Sequence, residues 1–139
     1  MSKKYDIFIS SQSKDREWVR SLVNALSEQA LRVWYDEVEI KPGDLWRDQI
    51  EEGLRESTYV VFVITPETAR SNWMAVELGA ALALQKPVIP VVAEDTPPED
   101  IPGPIKLRKY LLKGDPRGVA EEIAHGVASK LKDDGKVPP

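Results

Sequence analysis

Trp73 and Glu77 stand four residues apart in a segment with helical spacing, so both side chains leave the same face of a helix, one turn from each other. An indole plane beside a carboxylate suits a flat cationic ring attached to a sugar, the indole stacking on the ring while the carboxylate meets the ribose. Cleaving such a bond passes through an oxocarbenium-like state that a fixed anion stabilises. Ordinary glycosides also need an acid to protonate the leaving oxygen. A ring that is cationic only while bonded, as nicotinamide is, departs neutral, and one carboxylate can then suffice. The same pair has a plainer reading, with Trp73 as half-buried packing and Glu77 as a solvated charge near a helix start, where acids are favoured. Ser10, Ser11 and Ser13 form a polar turn whose free backbone N–H groups can receive phosphate or ribose oxygens, or, at Ser13 above all, cap the following helix. Trp46 begins a helix after a polar loop from Asp36 to Asp44 containing Pro42-Gly43, and either covers a ligand or anchors that loop.

The elements that must position these residues alternate between short apolar runs and longer helical ones, the pattern of βαβ units. Tyr5 to Ser10 reads as the first strand, followed by a helix in which Trp18, Leu22, Ala25 and Leu26 recur at spacings of three and four. Leu31 to Tyr35 is the second strand, and a helix runs from about Leu45 to Glu56. Tyr59 to Ile64 is almost continuously apolar, as expected of a strand buried on both faces at the middle of a sheet. Thr65-Pro66-Glu67 offers a cap with proline in the first helical position, and a helix from about Asn72 to Leu84 carries Gly79, which implies close packing. Pro87 to Val92 and a weak Tyr110 to Leu112 complete five strands, and an amphipathic helix from Pro116 to Lys130 closes the chain. Right-handed crossovers give a flavodoxin-like, doubly wound parallel sheet of order 2-1-3-4-5. Ligands then bind at the switch point between the first and third strands, where Ser10 to Ser13 meets the segment from Thr65 to Glu77.

Composition narrows the chemistry. With 139 residues, 42% hydrophobic and 30% charged, the chain is one ordinary globular domain, placed at 1–131 with a frayed tail or the start of a linker at 132–139. A net charge of −4 gives no basic field for nucleic acid or anionic membrane. The absence of cysteine and the single His125 argue against a metal site, and no apolar run is long enough to span a bilayer, which makes the cytoplasm the simplest address. A receiver domain needs an aspartate at the end of the central strand, where Ile64-Thr65 stands. Neither G-x-G-x-x-G nor a P-loop follows the first strand, and no G-x-S-x-G elbow exists.

Three blocks in order carry a resemblance to a known family: Tyr5-Asp6-Ile7-Phe8-Ile9-Ser10 with Asp15 shortly after, Asp36 through Pro42-Gly43 and Trp46 to Ser57, and Ser71-Asn72-Trp73-Met74-Ala75-Val76-Glu77-Leu78. From about Tyr5 to Leu131 the chain resembles the TIR (Toll/interleukin-1 receptor) domain family, of bacterial type. The second block resembles that family's BB loop and the third its W-x-x-x-E-L segment. In enzymatic members the glutamate at the position of Glu77 is required to cleave NAD+ into nicotinamide and ADP-ribose or a cyclic form. The resemblance therefore implies Glu77 as catalyst, Trp73, Ser10, Ser11, Leu45 and Trp46 around the substrate, NAD+ as substrate with no cofactor, and self-association through the loop from Asp36 to Asp44. Leu45 enters only because related enzymes line the nicotinamide end near that position. The alternative implied by adaptor members is a non-catalytic TIR–TIR interaction module. A deoxyribosyltransferase-like enzyme of the same general fold, also glutamate-dependent, is a further alternative. Where enzymatic relatives often carry an aromatic or basic residue after the first strand, this chain has Ser11 and Gln12.

Overall fold

The computed structural model describes residues 3–11, 13–35, 43, 46–69 and 72–134, with the backbone alone at 13, 46, 47, 72, 73 and 129–134. Five strands, β1 (Tyr5–Ser10), β2 (Val33–Trp34), β3 (Ser57–Ile64), β4 (Val88–Val92) and β5 (Leu111–Leu112), form one sheet in the order β2-β1-β3-β4-β5. Every neighbouring pair is parallel, as the sequence pattern predicts. The helices are α1 (Arg16–Glu28), α2 (Trp46–Arg55), the single turn α3 (Pro66–Ala69), α4 (Asn72–Ala83), the short α5 (Gly103–Lys106) and α6 (Pro116–Asp134). The last helix continues four residues past its expected end. No helix among the described residues is long and apolar enough to cross a membrane.

Strand alternation divides the interior into two cores. Ile7, Ile9, Tyr59, Val61 and Val63 face α1 and α6, packing on Val19, Leu22, Leu26, Val119 and Ile123. Phe8, Val60, Phe62 and Ile64 face the other way, onto Ile50 and Leu54 of α2, Met74, Leu78 and Ala81 of α4, and Ile105 of α5. The expectation for β3 holds, since seven of its eight residues are buried. Burying each large aliphatic or aromatic side chain here contributes about 1.5–3 kcal/mol. At the end of β3, the Thr68 backbone N–H donates to Thr65 Oγ1 at 3.3 Å, so the Thr65-Pro66 start signal is used as read.

Two local readings change. The 3-10 turn Ser13–Asp15 precedes α1, whose N-cap is Asp15, not Ser13, and no side-chain cap hydrogen bond forms there. Close packing at a helical glycine occurs at Gly53, not Gly79. A Cβ on Gly53 would lie 2.6 Å from Trp34 Cε2, while nothing described lies within 4 Å of one on Gly79. The Trp34 ring in turn stacks on Phe8, with centroids 4.6 Å apart and planes at 7°. Gly53 thus lets α2 lie flat on Trp34, and its carbonyl accepts from Ser57 Oγ at 2.6 Å.

At the amino end of the sheet, Arg32 clasps Asp6. Its backbone N–H donates at 2.8 Å and its Nε at 3.2 Å to Oδ2, and its NH2 donates at 3.1 Å to Oδ1. Burial pushes the Asp6 carboxyl up, but the Arg32 donors and charge together outweigh this and hold it below the ordinary carboxylate value. The clasp therefore stabilises the fold at neutral pH, and the contribution is lost as pH falls through that lowered folded-state value. Acid titration followed by circular dichroism should show Arg32→Gln narrowing the stability difference between neutral and acid pH relative to wild type. Gly53→Ala should lower stability by about 1–3 kcal/mol through overpacking although alanine is the better helix former, while Gly79→Ala should raise it by about 0.5–1 kcal/mol, both read by thermal or urea unfolding.

Candidate active site

The helix after β1 packs on one face of the sheet and the helix after β3 on the other, which makes the carboxyl ends of β1 and β3 the switch point at which doubly wound sheets bind their ligands. Ser10 is the last residue of β1, opposite Phe62 in register. Because it lies two residues from Phe8, its side chain leaves the sheet on the same side, toward α4. Stacking of Phe8 on Trp34 holds the strand in that orientation.

Helix α4 has an almost wholly apolar sequence, and Met74, Leu78 and Ala81 bury one side of it against the sheet. Glu77 stands on that buried side. Its fractional exposure is 3% and that of Ser10 is 5%, and the Ser10 hydroxyl donates a short hydrogen bond to Glu77 Oε1. The structure thus excludes the solvated-charge alternative for Glu77: the carboxylate is interior and its orientation is held by a hydroxyl at the end of the neighbouring strand. A carboxylate in low-dielectric surroundings acts more strongly on a developing positive charge than one in water, and its fixed geometry needs no reorganisation during reaction.

The remaining expected residues are placed less completely. Ser11 follows Ser10 directly and is partly exposed at the rim. Trp73 is the second residue of α4 and Trp46 the first of α2, and both side chains lie outside the described residues. Leu45 and residues 36–42 and 44 also lie outside them. Gly43 is described, with a φ of +96° that strongly favours glycine.

Sequence reasoning named Thr65, Glu67 and Asp15 but not the partners they find at this end of the sheet, Thr68, Lys14 and Lys113. The hydroxyls of Thr65 and Thr68, both buried, are 2.9 Å apart at the end of β3. Lys14 pairs with Glu67 at 3.6 Å, and Lys113, just beyond β5, pairs with Asp15 at 3.8 Å. The signal available was that these residues lie in the segments that follow β1, β3 and β5, on the side where a parallel sheet gathers its loops.

A family model for the TIR domain matches residues 7–134. The chain is 38% identical over 95 residues to the 2' cyclic ADP-D-ribose synthase BtTIR of Bacteroides thetaiotaomicron, covering 65% of this chain and 33% of that protein. It is 32% identical over 133 residues to the 2' cyclic ADP-D-ribose synthase AbTIR of Acinetobacter baumannii, covering 92% of this chain and 49% of that one. The chain therefore spans between a third and a half of the length of these relatives. Among solved structures, the metazoan TIR-STING receptor from C. gigas in complex with 2',3'-cGAMP superposes with a TM-score of 0.77 at 20% identity, over 90% of this chain and 40% of that one, which shows a shared fold. Because the match extends from β1 to the end of α6 and includes both strand ends at the switch point, the chain belongs to the TIR domain family.

Proposed function

We propose that this domain cleaves NAD+ at the bond between nicotinamide and ribose, with Glu77 as the catalytic residue, acting as an ionised carboxylate. The observation that carries the reading is the buried Glu77 carboxylate, oriented by the Ser10 hydroxyl at the switch point of the sheet. Two relatives named as 2' cyclic ADP-D-ribose synthases support the substrate class, and with it a cyclic product beside linear ADP-ribose. In the reaction the C1′–N bond breaks and its electron pair leaves with nicotinamide, which becomes neutral. Glu77 engages the ribose and stabilises the cation left on C1′. Water, or a hydroxyl of the same ADP-ribose, then attacks C1′ and loses its proton.

In this reading Trp73 stacks on the nicotinamide ring, Ser10 and Ser11 serve the ribose and phosphates, and Leu45 and Trp46 shape the nicotinamide end. No cofactor takes part. The domain self-associates through the loop from Asp36 to Asp44, a neighbour's loop completing the site, and works on the cytoplasmic NAD+ pool as a bacterial defence module. The left-handed φ at Gly43 makes that loop sensitive to a side chain.

Nicotinamide release measured at high protein concentration or on beads tests the reading. Glu77→Ala should lose about 100-fold or more of the rate, as expected for removal of a charge-stabilising group. Ser10→Ala should lose about tenfold, equivalent to one hydrogen bond of about 1.4 kcal/mol. Equal release by wild type and Glu77→Ala sinks Glu77 as catalyst. Gly43→Ala should reduce both the sedimenting oligomer and the rate per protomer; loss of the oligomer with no NAD+ turnover in any variant would support the interaction-module reading instead.

A further inference from the structure

Asp15 occupies the N-cap of α1, where an aspartate ordinarily accepts hydrogen bonds from the first-turn amides, yet its side chain makes no such bond. Its carboxylate is turned instead toward the far edge of the sheet. Oδ1 lies 3.8 Å from Lys113 Nζ just after β5, and the Asp15 side chain is 11% exposed. Oδ2 is buried without a hydrogen bond among the described residues. Lys113 Nζ also sits 4.9 Å from the centre of the Trp18 ring, and Trp18 Nε1 donates to the carbonyl of Gly114 at 2.8 Å. The start of α1 is thus bound to the β5–α6 junction by an ion pair, a cation–π contact and a hydrogen bond. One residue earlier, Lys14 pairs with Glu67 on α3. These contacts follow directly on the segment that begins at Ser10.

We propose that Asp15, acting through Lys113, is a positioning residue that fixes the Ser10–Ser11 turn beside Glu77. The inference rests on the catalytic reading for its purpose but not for its test.

The groups facing Asp15 are Lys113 from the end of β5, Glu67 from α3 and Lys14 from its own turn. Burial pushes its carboxyl up, Lys113 draws it down, Glu67 pushes it up again, and it ends above the ordinary carboxylate value. A carboxyl raised in this way holds its proton more tightly in the folded chain than in the unfolded one. The folded state therefore loses relative stability as pH rises past the ordinary value, and the ionised group at neutral pH is destabilising. A cap whose side chain does not cap and whose buried Oδ2 makes no hydrogen bond among the described residues is expected at a functional position, not a structural one.

Hydrogen exchange across residues 10–15 and thermal unfolding, measured on the whole chain at neutral pH, test the inference. Asp15→Asn should melt no lower than wild type while its 10–15 amides exchange about tenfold faster and the interior of α1 stays protected. Lys113→Met should quicken the same amides and also melt lower, because it strands the Asp15 charge. The double variant should exchange no faster than either single one, as for two ends of one tether. In the nicotinamide assay both single variants should lower kcat with little change in KM. Unchanged exchange at 10–15 in Asp15→Asn, a lower melting temperature for that variant, or additive effects in the double variant would overturn it. A wild-type protein that releases no nicotinamide would sink the catalytic reading, and the exchange result would still decide the role of Asp15.

Discussion

A carboxylate inside a protein must be given polar partners, because removing it from water without them costs several kcal/mol. Among the partners of Glu77 is the hydroxyl of Ser10, at the end of the neighbouring strand. For the bond to form, β1 must end at its present place, α4 must present its sixth residue inward, and the two must lie on the same side of the sheet. The strand alternation, the β2-β1-β3-β4-β5 order and the packing of Met74, Leu78 and Ala81 all serve that geometry.

The support reaches further than the two residues. Phe8 holds the side of β1 from which Ser10 emerges, Trp34 holds Phe8, and the missing side chain of Gly53 admits Trp34 beneath α2. A glycine in a helix and a tryptophan in a two-residue strand look unrelated in the chain. In the fold they are successive layers under the same hydroxyl, and the dense packing of the interior transmits a displacement of one to the next.

The sheet was legible from sequence because β3 is apolar throughout and the other strands are short runs between turn residues, a pattern few other architectures produce. The start of the turn after β3 was legible for the same local reason, Thr65 ahead of Pro66. Glu77 could be named from its spacing to Trp73, but not its burial: α4 is apolar on every side, so no periodicity separates its inward from its outward face. The Ser10 partnership spans 67 residues and the Trp18–Gly114 bond 96, distances over which composition and spacing carry no signal. Cap preferences place the cap at Ser13 because they describe a helix in isolation; they signal neither the 3-10 turn that moves the cap to Asp15 nor the lysine beyond the last strand that pairs with its carboxylate.

Both margins of the sheet are strands of two residues, Val33–Trp34 and Leu111–Leu112. An edge this short offers almost no unpaired main chain to a foreign strand, which removes the usual route by which parallel sheets recruit one another into irreversible fibres. Domains of this shape are left to meet through side chains and loops, contacts whose strength depends on charge, concentration and occupancy. The brevity of both edges therefore leaves the sheet little main chain with which to bind another sheet.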